Sequence, residues 1–304
     1  MPFIYRAGAW KPRTSPDSFQ GAGVEALSWL EEVQQTLGLE VATEVATPDH
    51  VREALFAGID YIWIGARTSA NPIAVQTLAD TIRTTKRKPK AVLVKNPVHN
   101  DVALWLGNIE RLEQTGTPVM AIHRGCNHKP CWAMAHALRL ARPEIPLLID
   151  PSHMSGDSEQ IAPIWAKATE LAYNGVMVEV HCCPEQALSD SAQQITPTAL
   201  TALLKEQRPL TLKDRYAESM ELNWLRAEID ELDDQLWEAI DRRMDVSRRI
   251  GEWKKAHGIA PLQPERYQEI VERLKVKGER IGLDTDFLLR LWELIHQQSL
   301  KQQK

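Results

Sequence analysis

The sequence predicts an α/β barrel of parallel strands followed by an all-helical segment, and three observations support this. Short β-branched or apolar runs alternate with helix-length amphipathic stretches over about the first 206 residues. Each run carries a polar or charged residue at or just beyond its carboxyl end. After about residue 207 the strand pattern stops, and apolar residues recur every three or four positions.

Seven runs are predicted as strands. They read FIYRA, LEVATEV, YIWIGAR, AVLVKNP, VMAIHRG, PLLIDPSH and VMVEVH. Segments between them, such as GVEALSWLEEVQQTLG, PDHVREALFAG and NDVALWLGNIERLEQTG, fit helices, and a glycine ends the first and third. Strict alternation of strand and helix implies right-handed crossovers and a parallel sheet.

The polar residues at the strand ends favour a barrel. An isolated charge at such a position is ordinarily a solvated loop residue, but a (β/α) barrel brings all of its carboxyl ends to one catalytic face. An open doubly wound sheet would place its site only near a switch point. The residues are, in order, Arg6, Glu44, Arg67, Lys95, Arg124, Asp150 with His153, and Glu179.

Composition narrows the class of protein. The 304 residues, 43% hydrophobic and 25% charged with a net charge of -5, describe a globular protein long enough for a barrel and a second unit. We expect no general nucleic-acid binding, no membrane span and no signal peptide, and therefore a cytoplasmic protein. The four cysteines do not form the framework of a small secreted domain, so reduced thiols are expected, one of which could be a metal ligand.

The cations of the strand ends and of the first loop call for an anionic ligand with more than one charged group. Arginine suits phosphate and carboxylate, so a phosphorylated carboxylic acid fits best. His153, Glu179 and Asp190 could hold a divalent metal. Alternatively His153 is a cap or loop histidine and the acids balance the arginines, and residue type alone leaves both open. The cations are Arg6, Lys11, Arg13, Arg67, Lys95 and Arg124.

Several motifs in this order resemble the microbial 3-deoxy-D-arabino-heptulosonate 7-phosphate (DAHP) synthase family over about residues 3 to 206. They are RAGAWKPRTSP, IGART, VKNP, HRG, DPSH and VEVH followed by ALSD. The resemblance implies a TIM barrel that condenses phosphoenolpyruvate with erythrose 4-phosphate, using a divalent metal, Mn²⁺ or similar.

The same resemblance implies roles for individual residues. Lys11 would stand between the two substrates as a catalytic residue, and Arg13 and Thr14 would hold the phosphate of erythrose 4-phosphate. Phosphoenolpyruvate would be bound by Arg6, Arg67, Lys95 and Arg124. The metal ligands would be His153, Glu179 and Asp190.

The sequence departs from this family in one respect. The family has eight barrel strands, and the first carries a Gly-Pro-Cys segment whose cysteine is a fourth metal ligand. This chain shows seven runs and no such segment. We therefore interpret residues 1–206 as a (β/α)8-type TIM barrel lacking its first strand, and we expect weak or absent synthase activity.

The helical segment follows a charged and polar linker at 207–221 and occupies residues 222–304. One long helix is predicted through about residue 257, with Gly258 and Pro261 breaking it. A second helix begins near Pro264 and a third near Asp284. The spacing alone would suit a dimerisation arm. The apolar positions are Leu222, Leu225, Ile229, Leu232, Leu236 and Ile240.

Polar residues on these helices suggest a pocket. Arg243 and Lys254 lie about three turns apart on one face, and Ser299 and Gln303 share a face of the last helix. Arg226 lies about 25 Å from Arg243 along the same helix. Both arginines could therefore reach one small ligand only if a second chain supplied one of them, which predicts a homodimer with shared pockets.

These positions resemble the all-helical chorismate mutase family over about residues 222–303, on the stretches LRAEIDELDDQLWEAIDRRMDVSRRIGEWKK, QPERYQEI and QQSLKQQ. The likeness implies rearrangement of chorismate to prephenate without a cofactor. Arg243, Lys254 and Gln303 would be catalytic. The partner chain's Arg226, together with Arg266 and Ser299, would bind substrate.

Three interpretations follow. The first is a bifunctional shikimate-pathway enzyme of aromatic amino acid biosynthesis. The second is an active mutase on an impaired barrel that serves as a binding or regulatory scaffold. The third treats the helices as a dimerisation arm only.

Overall fold

Seven parallel strands alternate with helices in the first part of the chain, as the sequence predicts. The computed structural model describes residues 3–12, 15, 17–206 and 217–303. The strands are β1 Ile4–Arg6, β2 Glu40–Glu44, β3 Tyr61–Ile64, β4 Ala91–Lys95, β5 Val119–His123, β6 Leu147–Ile149 and β7 Gly175–Val176. The helices among them are α1 Glu25–Leu37, α2 Pro48–Phe56, α3 Ala66–Ser69, α4 Pro72–Thr84, α5 Val102–Glu113, α6 Trp132–Ala141, α7 Pro151–Ser155, α8 Ile161–Glu170 and α9 Pro197–Glu206.

The strand order is sequential from β1 to β7, and every neighbouring pair is parallel. A doubly wound sheet reverses its order at a switch point, whereas this curled sheet does not. The prediction of a barrel-type sheet over a doubly wound one is therefore confirmed.

The last strand is shorter than predicted. The run VMVEVH predicts a strand over 176–181, but β7 ends at Val176 and only a single bridge joins Val180 to Ile195. The backbone N–H of Ile195 donates to the carbonyl of Glu179 at 3.1 Å, and the N–H of His181 donates to the carbonyl of Ile195 at 3.0 Å. Ile195 thus occupies the backbone groups of Glu179 and His181 that a longer β7 would have used to pair with a neighbouring strand.

Alternation along the strands separates two apolar layers. Trp63, Leu93 and Ile122 form one small cluster on the inner face of the curled sheet. Their immediate neighbours in sequence lie on the outer face, which packs against the helices. The helix-facing layer is larger and includes Ile62 and Val92, both fully buried. This is the two-sided burial expected of parallel strands covered by helices.

An ion-pair network ties together the amino ends of three strands. Asp60 accepts hydrogen bonds from the backbone N–H of Val41 at 3.1 Å and from Gln34 Nε2 at 2.7 Å. Lys90 Nζ lies 3.1 Å from Asp60 Oδ1 and also contacts Glu40. Burial alone would raise the pKa of Asp60, but these hydrogen bonds and the charge of Lys90 outweigh it and lower that pKa.

Three long helices follow: α10 Ala217–Ala256, α11 Pro264–Ile281 and α12 Thr285–Gln302. Their number and breaks agree with the prediction, since Gly258 and Pro261 lie between α10 and α11. α10 begins inside the range predicted as linker, whose residues 207–216 lie outside the described part of the chain. Contacts divide the chain into two compact units, 1–228 and 229–304, so the first turns of α10 pack with the first unit.

Among the described residues, no helix combines the length and the apolar character that crossing a bilayer requires.

Candidate active sites

The carboxyl ends of the strands carry a cluster of opposite charges. Arg6 ends β1, Glu44 ends β2 and Lys95 ends β4, while Arg124 directly follows β5. The short helix α7 follows β6 and carries His153. Because all seven strands are parallel, these ends lie on one side of the sheet.

Asp150 organises the centre of this cluster. Its Oδ2 lies 2.7 Å from Lys95 Nζ and 3.0 Å from His153 Nδ1, and its Oδ1 accepts the backbone N–H of His153 at 3.2 Å as the cap of α7. Asp150 is fully buried. Burial by itself would raise the pKa of Asp150, but the charges of His153, Lys95 and Arg6 hold it well below its usual value.

Glu179 is the second buried carboxylate. Arg6 Nη2 lies 3.3 Å from its Oε1 and His153 Nε2 lies 3.9 Å from the same oxygen. Gln193 Nε2 donates to Oε2 at 2.7 Å. Burial opposes ionisation of Glu179, yet the charges of Arg6, His153 and Lys11 and the bond from Gln193 lower its pKa.

The loop after β1 and the loop after β7 meet at Lys11. Lys11 Nζ lies 3.3 Å from Asp190 Oδ2 and donates to Ser189 Oγ at 2.6 Å. The positive φ of Asp190, 55°, turns the chain at this point. The contact joins one predicted catalytic cation to one predicted metal ligand.

Two arginines complete the cationic side. Arg124 is 9% exposed, and its Nη2 donates to the carbonyl of His153 at 3.2 Å. Burial lowers the pKa of Arg124, with a further contribution from the nearby charge of Arg67. Arg67 Nη1 donates to the carbonyl of Pro12 at 3.1 Å. The predicted residues Arg13 and Thr14 lie outside the described part of the chain.

Glu44 and Asp150 belong to this cluster although the sequence predicted no chemical role for either. Burial raises the pKa of Glu44 against the opposing charges of Lys95, His153 and Arg6. Its carboxylate fills the space beside Gly65, where a Cβ atom would lie 2.0 Å from Glu44 Oε1. In the sequence, the feature that could have identified both acids as members of the site is their position at the ends of predicted strands.

The donor set fits a metal in part. His153 donates through Nδ1 to Asp150 and turns Nε2 toward Glu179, which is the arrangement of a metal-ligating histidine oriented by a second carboxylate. Asp190 instead contacts Lys11. Within the described ranges, no three His, Cys, Asp or Glu side chains are grouped closely enough to hold a metal.

The helical unit brings together four of its predicted residues. Arg243 Nη1 donates to Ser299 Oγ, a side chain that is 3% exposed, and to the carbonyl of Ile295 at 3.4 Å. Lys254 Nζ donates to Gln303 Oε1 at 3.3 Å. Burial lowers the pKa of Arg243.

A close approach of two helices makes these contacts possible. At Gly251, between Arg243 and Lys254 in sequence, an added Cβ would lie 2.5 Å from the Cα of Gln303. Only a glycine lets α10 and α12 approach this closely. Beside this contact lies a cavity of about 430 Å³ lined by Lys254, Gln263, Trp253, Ile250, Arg249, Val246 and Ile259.

Two predicted mutase residues stand apart from the four. Arg266 is exposed and pairs with Glu269 at 2.8 Å. Arg226 is exposed and belongs to the first compact unit. Sequence reasoning missed His296, whose ring stacks on Trp292 at 4.8 Å and whose pKa is lowered by burial.

A parallel sheet with cations and carboxylates at its carboxyl ends is typical of (β/α)-barrel enzymes that act on anionic small molecules. The chain belongs to the DAHP synthetase I family, whose model matches residues 1–213. Residues 225–304 match the model of chorismate mutase type II, so the chain joins regions of two enzyme families.

Individual relatives agree with the families. A Thermotoga maritima protein named phospho-2-dehydro-3-deoxyheptonate aldolase is 32% identical over 215 residues, which cover 68% of this chain and 61% of the relative. A crystal structure of phospho-2-dehydro-3-deoxyheptonate aldolase (DAHP synthase) from Thermotoga maritima matches with a TM-score of 0.58 at 30% identity. That match covers 67% of this chain and 59% of the other. This chain thus spans about three fifths of the length of these two relatives.

The helical region has its own relative. The 4-amino-4-deoxychorismate mutase of Streptomyces venezuelae is 38% identical over 78 residues, which cover 26% of this chain and 76% of the relative.

Proposed function

We propose that the first unit binds phosphoenolpyruvate and erythrose 4-phosphate and condenses them to DAHP. The observation that carries the proposal is the cluster of Arg6, Lys11, Lys95 and Arg124 around two buried carboxylates at the strand ends. Joining two anions requires charge neutralisation and fixed orientation, and this cluster supplies cations for both. The family match supports the reaction class.

We propose further that His153 and Glu179, with Asp190, hold a divalent metal, Mn²⁺ or similar. A divalent cation supplies Lewis-acid polarisation of a carbonyl oxygen when it is bound. The chain's own groups have separate tasks. Asp150 holds His153 through Nδ1 and Lys95 through Nζ, and Lys11 stands at the junction of the two loops.

The test of the synthase is turnover of phosphoenolpyruvate and erythrose 4-phosphate with Mn²⁺ by the purified chain. Lys11→Ala should abolish that turnover, and Lys86→Ala, which removes an exposed lysine from the loop before β4, should not. The expectation of weak turnover drawn from the sequence stays a prediction, and the same assay decides it. If phosphoenolpyruvate neither reacts nor binds, the proposal is wrong.

For the helical unit we propose rearrangement of chorismate to prephenate. The observation that carries it is the pairing of Arg243 with Ser299 and of Lys254 with Gln303, and Lys254 also lines a cavity. The reaction is intramolecular, so confinement and cations near the developing charge suffice and no cofactor is required. Loss of chorismate absorbance on addition of the protein tests it.

A homodimer is part of this proposal. Leu225, Ile229, Leu232 and Leu236 of α10 are between 42% and 62% exposed, which is unusual for a stripe at helical spacing. A second copy of the chain would cover this stripe, and its Arg226 would complete the site. Sedimentation analysis of wild type and Leu232→Glu tests the dimer: the variant should dissociate.

The scaffold and dimerisation-arm interpretations stay as alternatives that these assays decide. Mutase turnover without synthase turnover would favour the first, and a chain that does not consume chorismate would favour the second. Membership of biosynthetic enzyme families supports a cytoplasmic location.

A further inference from the structure

The first unit encloses one side chain that comes from the beginning of α10. Trp224 is 2% exposed, and its indole stacks on the imidazole of His136 with 5.4 Å between ring centroids and 5° between planes. Tyr173 lies 5.7 Å and Trp132 lies 6.5 Å from it, centroid to centroid. An aromatic pocket on the helix layer of the sheet therefore holds this turn of α10.

Two carboxylates of α10, one before and one after Trp224 in sequence, also contact His136. His136 Nε2 lies 3.1 Å from Glu221 Oε2, and His136 Nδ1 contacts Glu228 Oε1. Glu221, Trp224 and Glu228 are spaced at three and four residues, so they share one face of the helix. Ala227 on that face is fully buried. We call this group of Glu221, Trp224, Ala227 and Glu228 the anchor face.

Arg226 lies in the same two turns but on another face. It shares its side of the helix with Leu222 and Ile229, at four and three residues' distance, and all three are exposed. The anchor face thus fixes the backbone of this turn and leaves Arg226 directed away from the pocket. Helix ends that pack on nothing open locally at little cost in free energy, and the anchor face removes that freedom here.

We propose that Trp224 is a positioning residue for mutase catalysis, because it holds the helical turn that presents Arg226 to the site of a second copy of the chain. The inference rests on the proposed mutase function. It adds that a residue bound within the barrel unit sets the geometry of a substrate-binding arginine. A catalytic cation that is displaced by about 1 Å costs on the order of 100-fold in rate, so a loosened turn should be visible in turnover.

The experiment compares variants of the full chain by mutase kinetics. Trp224→Ala should lower kcat/KM at least tenfold, and Trp224→Phe should restore most of it. Phenylalanine keeps the ring stack, and within the described residues the indole N–H has no hydrogen-bond partner to lose. The matched control is Trp29→Ala on α1, which removes a tryptophan that is 52% exposed and should leave turnover unchanged.

A double-mutant cycle separates positioning from general loss of structure. In an Arg226→Lys background, which keeps a cation and residual turnover, adding Trp224→Ala should cost less than twofold if Trp224 acts through Arg226. An equal cost in both backgrounds would overturn the proposal. His136→Gln serves as the second variant if Trp224→Ala fails to fold, because it removes the stacking ring and keeps Trp224.

Amide hydrogen exchange gives a readout that does not depend on activity. The amides of residues 224–228 should exchange at least tenfold faster in Trp224→Ala than in wild type, with no change in Trp29→Ala. Unchanged exchange contradicts the anchoring step whatever the kinetics show. A wild-type chain that lacks mutase turnover but shows this exchange difference would refute the proposed function and leave the anchor established without a catalytic role.

Discussion

The ammonium group of Lys95 lies 2.7 Å from Oδ2 of Asp150, and neither side chain is more than 6% exposed. An ion pair removed from water to this degree adds little net stability, because desolvation of both charges offsets their attraction, but breaking it leaves a buried charge without compensation.

Asp150→Asn should therefore lower the free energy of unfolding by about 3 kcal/mol, because it strands the charge of Lys95. Asparagine still caps α7, so the loss reports the charge and not the cap. Urea denaturation of the wild type and the variant measures it. The control is Asp49→Asn, which breaks a surface pair with Arg52 and should cost less than about 1 kcal/mol. Equal effects of the two substitutions would contradict the prediction.

The lowered pKa of Asp60 predicts that the free energy of unfolding depends on pH in the acid range. Its pKa in the folded protein lies below its ordinary value of 3.8, so the carboxylate contributes stability that is complete above about pH 5 and is lost as the pH falls through the folded-state pKa. The difference in unfolding free energy between wild type and Asp60→Asn should shrink from pH 7 towards pH 3. A difference that stays constant over this range would show that Asp60 does not titrate as inferred.

Arg243→Ala should lower mutase turnover about 100-fold while the dimer persists, because it removes the cation that contacts Ser299. Arg242→Ala is the matched control, since that neighbouring arginine is exposed on the same helix. Chorismate consumption and sedimentation are measured on the same samples. Full turnover by Arg243→Ala would show that Arg243 is not needed for the reaction, and a wild type that does not consume chorismate would favour the dimerisation-arm interpretation.

Gly251→Ala should destabilise the helical unit, although alanine is intrinsically the better helix former by about 1 kcal/mol. The added Cβ would meet backbone of α12 at 2.5 Å, and backbone cannot move aside as a side chain can. Gly107→Ala in α5 is the contrasting case, because its nearest neighbour is the flexible end of Arg111 at 3.0 Å. Thermal unfolding should show opposite signs for the two substitutions.

His153→Ala should weaken Mn²⁺ binding at least tenfold, as expected when a ligand is removed. Calorimetric titration of the full chain with Mn²⁺ measures it, with the exposed His257→Ala as control. If both variants bind Mn²⁺ like the wild type, the metal lies elsewhere or the chain binds none.

Much of the architecture could be predicted because it depends on local sequence. Strand period, helix period and the breaks at Gly258 and Pro261 are properties of short segments, and they gave the seven strands and three long helices in order. The length of β7 could not be predicted, because it depends on which segment takes the hydrogen bonds of Glu179 and His181.

The candidate sites likewise contain residues that local sequence could predict and contacts that it could not. Strand ends identified Arg6, Lys95 and Glu179 because position along a strand fixes the face they reach. The anchoring of Trp224 had no local signal, since it requires an aromatic pocket built from two segments of the chain that are distant from it in sequence. Pairing of Lys11 with Asp190 likewise depends on the path of two loops.

The contact between Glu44 and Gly65 has a consequence for how this sequence can diverge. A methyl group at position 65 would meet the end of the Glu44 side chain, so a residue other than glycine there requires that carboxylate to move or a shorter side chain at position 44. In a library randomised at both positions, folded clones that keep Glu44 should be enriched in Gly65, and larger side chains at position 65 should be enriched beside a shorter residue at position 44. The two positions would covary as a pair, although Glu44 ends β2, Gly65 directly follows β3 and they lie 21 residues apart.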